Sequence, residues 1–278
     1  MPSTDIPNRA RNHRRHARLF DGADTGLYTL PAELLAARDG LVRLSAELAV
    51  APPSDRGADQ ARYVTALMDA ATAGEPLPTL DELTAADRRN RQYDRRSELL
   101  VEAIDRADSA LELLVNDLGD RIIRDHLAPV VDDIMKGVTA AAGALPDDTS
   151  ADTILRASDK ARKAWLGLDD LAARYEAVRA AAVSVRRNTP AEWDHRGDFS
   201  ELHNFHELTA GLNIQIGGPR PWPTKTSDRL LWYARNNGRV WMPTVAEQDA
   251  RYREVHKDAL DAMAENRARV SAARHAFG

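Results

Sequence analysis

The stretch LLVEAIDRADSALELLVNDLG, residues 99–119, decides the fold class. Within it Leu100, Ile104, Ala107, Leu111, Leu114 and Leu118 recur at spacings of 4, 3, 4, 3 and 4. That period lays one apolar stripe along an α-helix, with charged residues on the remaining surface. Further along, Ala161, Trp165, Leu168, Ala172 and Tyr175 repeat the 4, 3, 4, 3 spacing before Val178, Ala182 and Val185 shift its phase by one residue. Only Pro129 and Pro146 interrupt residues 79–189. The expectation is two long helices joined at Gly143 to Asp148, a helical hairpin. Each stripe lasts two to three heptads, which suits bundle packing as well as a coiled coil. Pro129 lacks an amide hydrogen, so the first arm is expected to kink or break near Leu127 and Ala128.

Upstream, residues 31–50 and 57–73 carry apolar side chains at helical spacing (Leu34, Leu41, Leu44; Tyr63, Leu67, Ala70) and are separated by Pro52 and Pro53. They read as two flanking packing helices. Helix starts are marked by a Ser or Thr with an acid three residues later, at Thr79 and Glu82, Thr149 and Asp152, Thr189 and Glu192, and Thr244 and Glu247. Each pair satisfies amides that a helix leaves free at its start.

Residues 190–243 differ in composition, holding four of the five tryptophans and five of the fourteen prolines. They read as a separate small unit. Residues 213–216 and 239–242 are its strand candidates and would form a two-stranded ribbon. A charged helix from Val245 to about His275 closes the chain. The fold class is therefore all-α: a long antiparallel hairpin, packing helices, and a Trp- and Pro-rich C-terminal unit. The expected division is a flexible basic arm over 1–28, a helical domain over 29–189, and the C-terminal unit with its helix over 190–278.

Composition excludes several functions. The 278 residues include no cysteine, which removes disulfides, thiolate metal sites and cysteine nucleophiles. A reducing, cytoplasmic setting is the simplest fit. No run of about 18 apolar residues occurs, so no membrane partner is expected. Neither a phosphate-binding glycine loop nor a G-x-S-x-G elbow is present, and no cofactor is expected.

Three constellations remain. Arg220, Lys225, Arg229, Arg235 and Arg239 are interleaved with Trp222, Trp232, Tyr233 and Trp241. This mixture suits an interface hot spot, a nucleic-acid surface, or the core of a small unit with its arginines turned outward. The expected contact residues are Trp222, Arg229, Trp232, Tyr233, Arg235, Arg239 and Trp241. Arg9, Arg11, Arg14, Arg15 and Arg18 give residues 1–20 a net charge of +4, enough to grip a polyanion. His195, His203, His206 and Glu207 bring metal-ligating types within thirteen residues, though without the paired-histidine order of zinc proteases. Their structural reading is the edge of a buried aromatic stripe. The leading expectation is a non-enzymatic interaction or assembly protein, such as a phage-like or mobile-element complex would use, with a protein partner or self-association. Nucleic-acid binding and a metal-dependent enzyme at the histidines are the alternatives.

Overall fold

The computed structural model describes residues 11–50, 56–186, 199–210, 220–258, 260–262 and 265. Of these, 79% are helical. Their one β element is an isolated antiparallel bridge between Leu202 and Val240. The all-α expectation holds. In chain order the helices are α1 (Arg11–Arg15), α2 (Ala17–Asp24), α3 (Ala32–Leu48), α4 (Arg56–Ala73) and α5 (Asp81–Arg121). A π-helical segment (Ile122–Leu127) leads into α6 (Ala128–Ala144), followed by α7 (Ala151–Arg156) and α8 (Asp159–Arg186). Then come α9 (Phe205–Thr209), α10 (Thr226–Arg235) and α11 (Val245–Val255).

Contacts divide the chain into two compact units that differ from the division drawn from composition. One joins Met1–Arg14 to Ala32–Leu114; the other joins Arg15–Pro31 to Val115–Gly278. The boundary therefore falls inside α5, where no composition changes.

In the first unit, α3 and α4 form where apolar spacing predicts them. Gly74 ends α4 at φ +70°, a conformation that costs glycine little, and the Glu75 amide bonds back to the Ala70 carbonyl at 2.9 Å. The core is thin: Leu34, Leu41, Ala70, Ala86, Ile104 and Leu111 are its buried apolar side chains among the described residues. Polar ties supplement it. Tyr93 donates to the Val50 carbonyl at 2.7 Å, Tyr63 to the Pro78 carbonyl at 3.1 Å, and the His13 amide to Asp108 at 3.0 Å.

The second unit has the larger core. α8 buries Ala161, Leu168, Ala172, Tyr175, Val178, Ala182 and Val185 and half-buries Trp165, so its stripe runs as spaced, phase shift included. It packs against α6. A Cβ on Gly119 would lie 3.3 Å from Val185, and one on Gly137 would lie 3.2 Å from Leu171, so the segments run antiparallel at glycine-limited distance. An antiparallel pairing along two whole arms is not what these contacts describe, because α5 before Val115 belongs to the first unit. The buried line of α5 is also shifted by part of a turn, through Ile104, Asp108, Leu111, Val115 and Gly119, leaving Leu100, Ala107, Leu114 and Leu118 half-buried.

At Pro129 the helix does not break. A proline there cannot donate to the preceding turn, and the backbone accommodates it by widening to π geometry over Ile122–Leu127, with the Ala128 amide bonded to the Ile123 carbonyl. Ile122, Ile123 and Leu127 all enter the core.

The expected arm over 1–28 is corrected from residue 16 onward. Leu19 is fully buried, as are His16, Phe20, Tyr28 and Leu30, and α2 packs on α8. The arginines around Leu19 and Phe20 concealed an amphipathic helix. Tyr28 locks it by donating to the Leu19 carbonyl (2.9 Å) and the Arg18 carbonyl (3.2 Å).

The capping box at Thr244 and Glu247 forms with both of its bonds. Thr149 does not cap α7; Ser150 occupies that position, and Asp148 takes bonds from the Ser150 amide and hydroxyl and from Thr153. Thr189, Glu192 and the strand candidate 213–216 lie outside the described residues. Of the other strand candidate, Val240 forms the bridge to Leu202, where the His203 amide bonds to the Arg239 carbonyl (2.9 Å) and the Trp241 amide to the Glu201 carbonyl (3.1 Å). The last helix pauses at a turn on His256, whose ring packs on Tyr252 at 4.5 Å and on Phe199 at 6.2 Å.

Candidate functional site

The densest chemistry in the second unit surrounds Glu201. One turn of α8 presents Tyr175 and Arg179 on the same face, and α10 presents Arg229 and Tyr233 by the same spacing of four. The bridge at Leu202 holds Glu201 between them. Tyr175 donates to Oε1 of Glu201 at 2.7 Å, Tyr233 approaches Oε2 at 3.3 Å, and Nε of Arg229 lies 3.4 Å from Oε1. Arg179 donates from Nε to the Tyr175 hydroxyl at 2.9 Å and from Nη1 to the Ser200 carbonyl.

Both tyrosines are almost wholly buried. Burial raises their pKa well above the ordinary value, the Glu201 charge reinforcing the effect. They stay protonated donors. A cavity of about 300 Å³ opens beside them, lined by Glu176, Arg179, Val183, Arg186, Ser200 and Glu201 among others. Most of its polar atoms are already engaged: Arg186 bonds to the Pro243 carbonyl and approaches Met242 sulfur at 3.7 Å, and Thr226 donates to Glu176. The network fastens residues 199–204 and 242–243 to α8.

The seven expected contact residues are largely spent in the same way. Tyr233 is buried in the Glu201 network, and Arg229 also bonds to Thr224 and Thr226. Arg235 caps the connection after α6 through the carbonyls of Pro146 and Asp147 (2.6 and 3.0 Å). Arg239 pairs with Glu207, and the Trp241 indole donates to the Phe199 carbonyl at 2.9 Å. Trp222 and Trp232 are half-buried, their rings tilted at 51° with centroids 5.7 Å apart, and Phe205 and Tyr233 complete an aromatic cluster. Of the seven, Tyr233 is buried, Trp222, Arg229, Trp232 and Trp241 are half-buried, and Arg235 and Arg239 are exposed.

His195 lies outside the described residues. His203 stands edge-on to Trp241 at 4.8 Å, and its pKa is lowered by burial, then by Arg251 and Arg239. Glu207 is taken by those same two arginines, at 2.5 Å from Arg239 and 3.7 Å from Arg251. Two guanidiniums beside Glu207 are the opposite of what a cation requires there. Among the described residues no group of three His, Asp or Glu could hold a metal. Of the N-terminal arginines, Arg9 and the Arg11 side chain lie outside the described parts, and Arg14, Arg15 and Arg18 are exposed.

Reading the sequence missed two features. The Glu201 network was signalled only by the Tyr175 and Arg179 spacing. The other is an apolar surplus on the first unit: Val50, Val64, Met68, Leu77, Leu80, Leu99 and Leu113 are each 46–66% exposed. Against them stand four large buried apolar side chains in that unit, Leu34, Leu41, Ile104 and Leu111. Gln92, Arg95, Arg96, Leu99, Leu100 and Ala103 line a shallow groove on α5. No described helix is long and apolar enough to cross a membrane.

No known protein family matches this chain, and no curated protein or solved structure is significantly similar to it.

Proposed function

We propose that the chain is a non-enzymatic helical interaction or assembly protein of the cytoplasm, a component of a larger complex, whose contact surface lies on the long helices of the first unit. The observation that carries this reading is the reversed apolar balance of that unit, with seven large apolar side chains exposed against four buried. On α5 this surplus meets a shallow groove lined by Leu99, Leu100 and Ala103, the kind of apolar surface that a partner covers. Exposed large apolar side chains cost solubility, whereas Val64 and Met68 on α4 and Leu99 and Leu113 on α5 become favourable once another protein removes them from water.

The Trp- and Arg-rich segment supports the reading less directly. Its side chains brace the second unit, whereas the first unit has the unfilled apolar surface. The absence of cysteine fits a reducing compartment.

The test is absolute mass by light scattering on a size column, at low and at high salt, with the 260/280 absorbance ratio recorded. A salt-resistant oligomer, or a monomer that captures a protein partner through first-unit residues, fits the proposal. A monomer that carries nucleic acid at low salt and sheds it at high salt would favour the exposed N-terminal arginines and a nucleic-acid role instead.

A further inference from the structure

Helix α5 is electrically divided. From Ala85 to Arg96 it carries five arginines against two aspartates, a net +3; from Glu98 to Leu113 it carries five acids against one arginine, a net −4. Its outward stripe is Ala85, Arg88, Gln92, Arg95, Leu99, Ala103, Arg106, Ala110 and Leu113, all exposed apart from the half-buried Ala103. The spacings are 3, 4, 3, 4, 4, 3, 4 and 3, which read identically in both directions from Leu99. Leu99 itself is 49% exposed at the middle of the shallow groove.

Resting on the assembly reading above, we infer that the partner of this stripe is the α5 helix of a second copy of the chain, running antiparallel about a two-fold axis at Leu99. Charge decides the direction. A parallel pair would set arginines against arginines and acids against acids, whereas the antiparallel pair sets each basic half against the other copy's acidic half. The palindromic spacing then places Leu99 on its own copy, Ala85 on Leu113 and Arg88 on Ala110. Arg95 of each copy then flanks Glu102 of the other. Arg95 at present pairs with Glu98 and Glu102 with Arg106, both at exposed sites where ion pairs are worth little and partners exchange readily. An interface of this kind is isologous and closes at two copies.

The chain has no cysteine, so one can be introduced at a chosen position of the full-length protein without background. Ala85→Cys, Ala103→Cys and Ala110→Cys are spin-labelled separately and the distance between copies is measured. A rise of 1.5 Å per residue and axes about 9 Å apart give separations of about 43, 15 and 34 Å. Three short distances would mean a parallel pair and overturn the inference. Leu99→Glu, at a half-exposed position, is expected to keep its circular dichroism and thermal transition while weakening self-association at least about tenfold. An oligomer that ignores Leu99→Glu and gives none of these distances would sink the α5 pairing and leave the assembly proposal standing. A monomer at every concentration, bearing nucleic acid at low salt, would overturn both.

Discussion

Gly22→Ala tests the claim that the N-terminal segment is a structural part of the second unit. Position 22 lies in α2, and a Cβ built there would come 2.3 Å from the Tyr28 hydroxyl oxygen and 2.5 Å from the ring carbon that bears it. No rotamer adjustment of an alanine relieves this, so the Tyr28 ring must move. That ring is buried, and its hydroxyl holds the Leu19 and Arg18 carbonyls. Overpacking costs about 1–3 kcal/mol and the lost hydrogen bond about 1 kcal/mol. Alanine in place of glycine within a helix returns about 1 kcal/mol. The net expectation is destabilisation of about 1–3 kcal/mol by urea titration. Gly40→Ala in α3 is the control, because nothing lies within 4 Å of a Cβ there, and it should stabilise by a fraction of a kilocalorie up to about 1 kcal/mol. If Gly22→Ala behaved like Gly40→Ala, the packing of α2 against Tyr28 would be wrong, and the segment would be a tail after all.

Other consequences follow from the second unit. Tyr175→Phe leaves Glu201 and Arg179 each one bond short in a buried setting and should cost about 1–3 kcal/mol; a loss within error of zero would show that the network does not hold Glu201. Thr244→Ala removes the capping box and should cost about 1 kcal/mol, with helix content lost first at 245–255 by hydrogen exchange. His203 has its pKa below the usual 6.5, so the unfolded chain takes up its proton first. Its contribution is complete above about pH 6.5 and is lost as pH falls through the lowered folded value. Urea titrations at pH 7.5 and pH 5 should show a smaller acid loss for His203→Gln than for the parent; equal losses would place the imidazole in water.

Much of the architecture was legible because periodicity reports burial directly. The α8 stripe from Ala161 to Val185, the starts of α3 and α4 and the box at Thr244 all follow from local spacing and capping chemistry. What escaped was set by tertiary contact. Nothing in residues 16–30 separates the end of a basic tail from a helix that drops Leu19 and Phe20 into a core distant in sequence, since the apolar pair spans less than a turn. Pro129 announced an irregularity but not its kind, because kink, break and π widening relieve the same missing bond. The aromatic and basic segment left core and outward face both open, and Tyr233 proves buried and Trp241 half-buried while Arg235 stays exposed; composition gives residue types and not their direction. The apolar surplus of the first unit was invisible for the converse reason, since exposure cannot be counted until the core is known.

The most direct measurement of the central claim is amide hydrogen exchange of the full-length protein across a concentration series. If the first unit completes its apolar surface against another molecule, exchange along residues 88–110 of α5 slows as concentration rises, while α8 exchanges at one rate throughout. Exchange in α5 that is independent of concentration, at protein levels spanning the micromolar to millimolar range, would contradict the claim that this surface is built to meet a second copy.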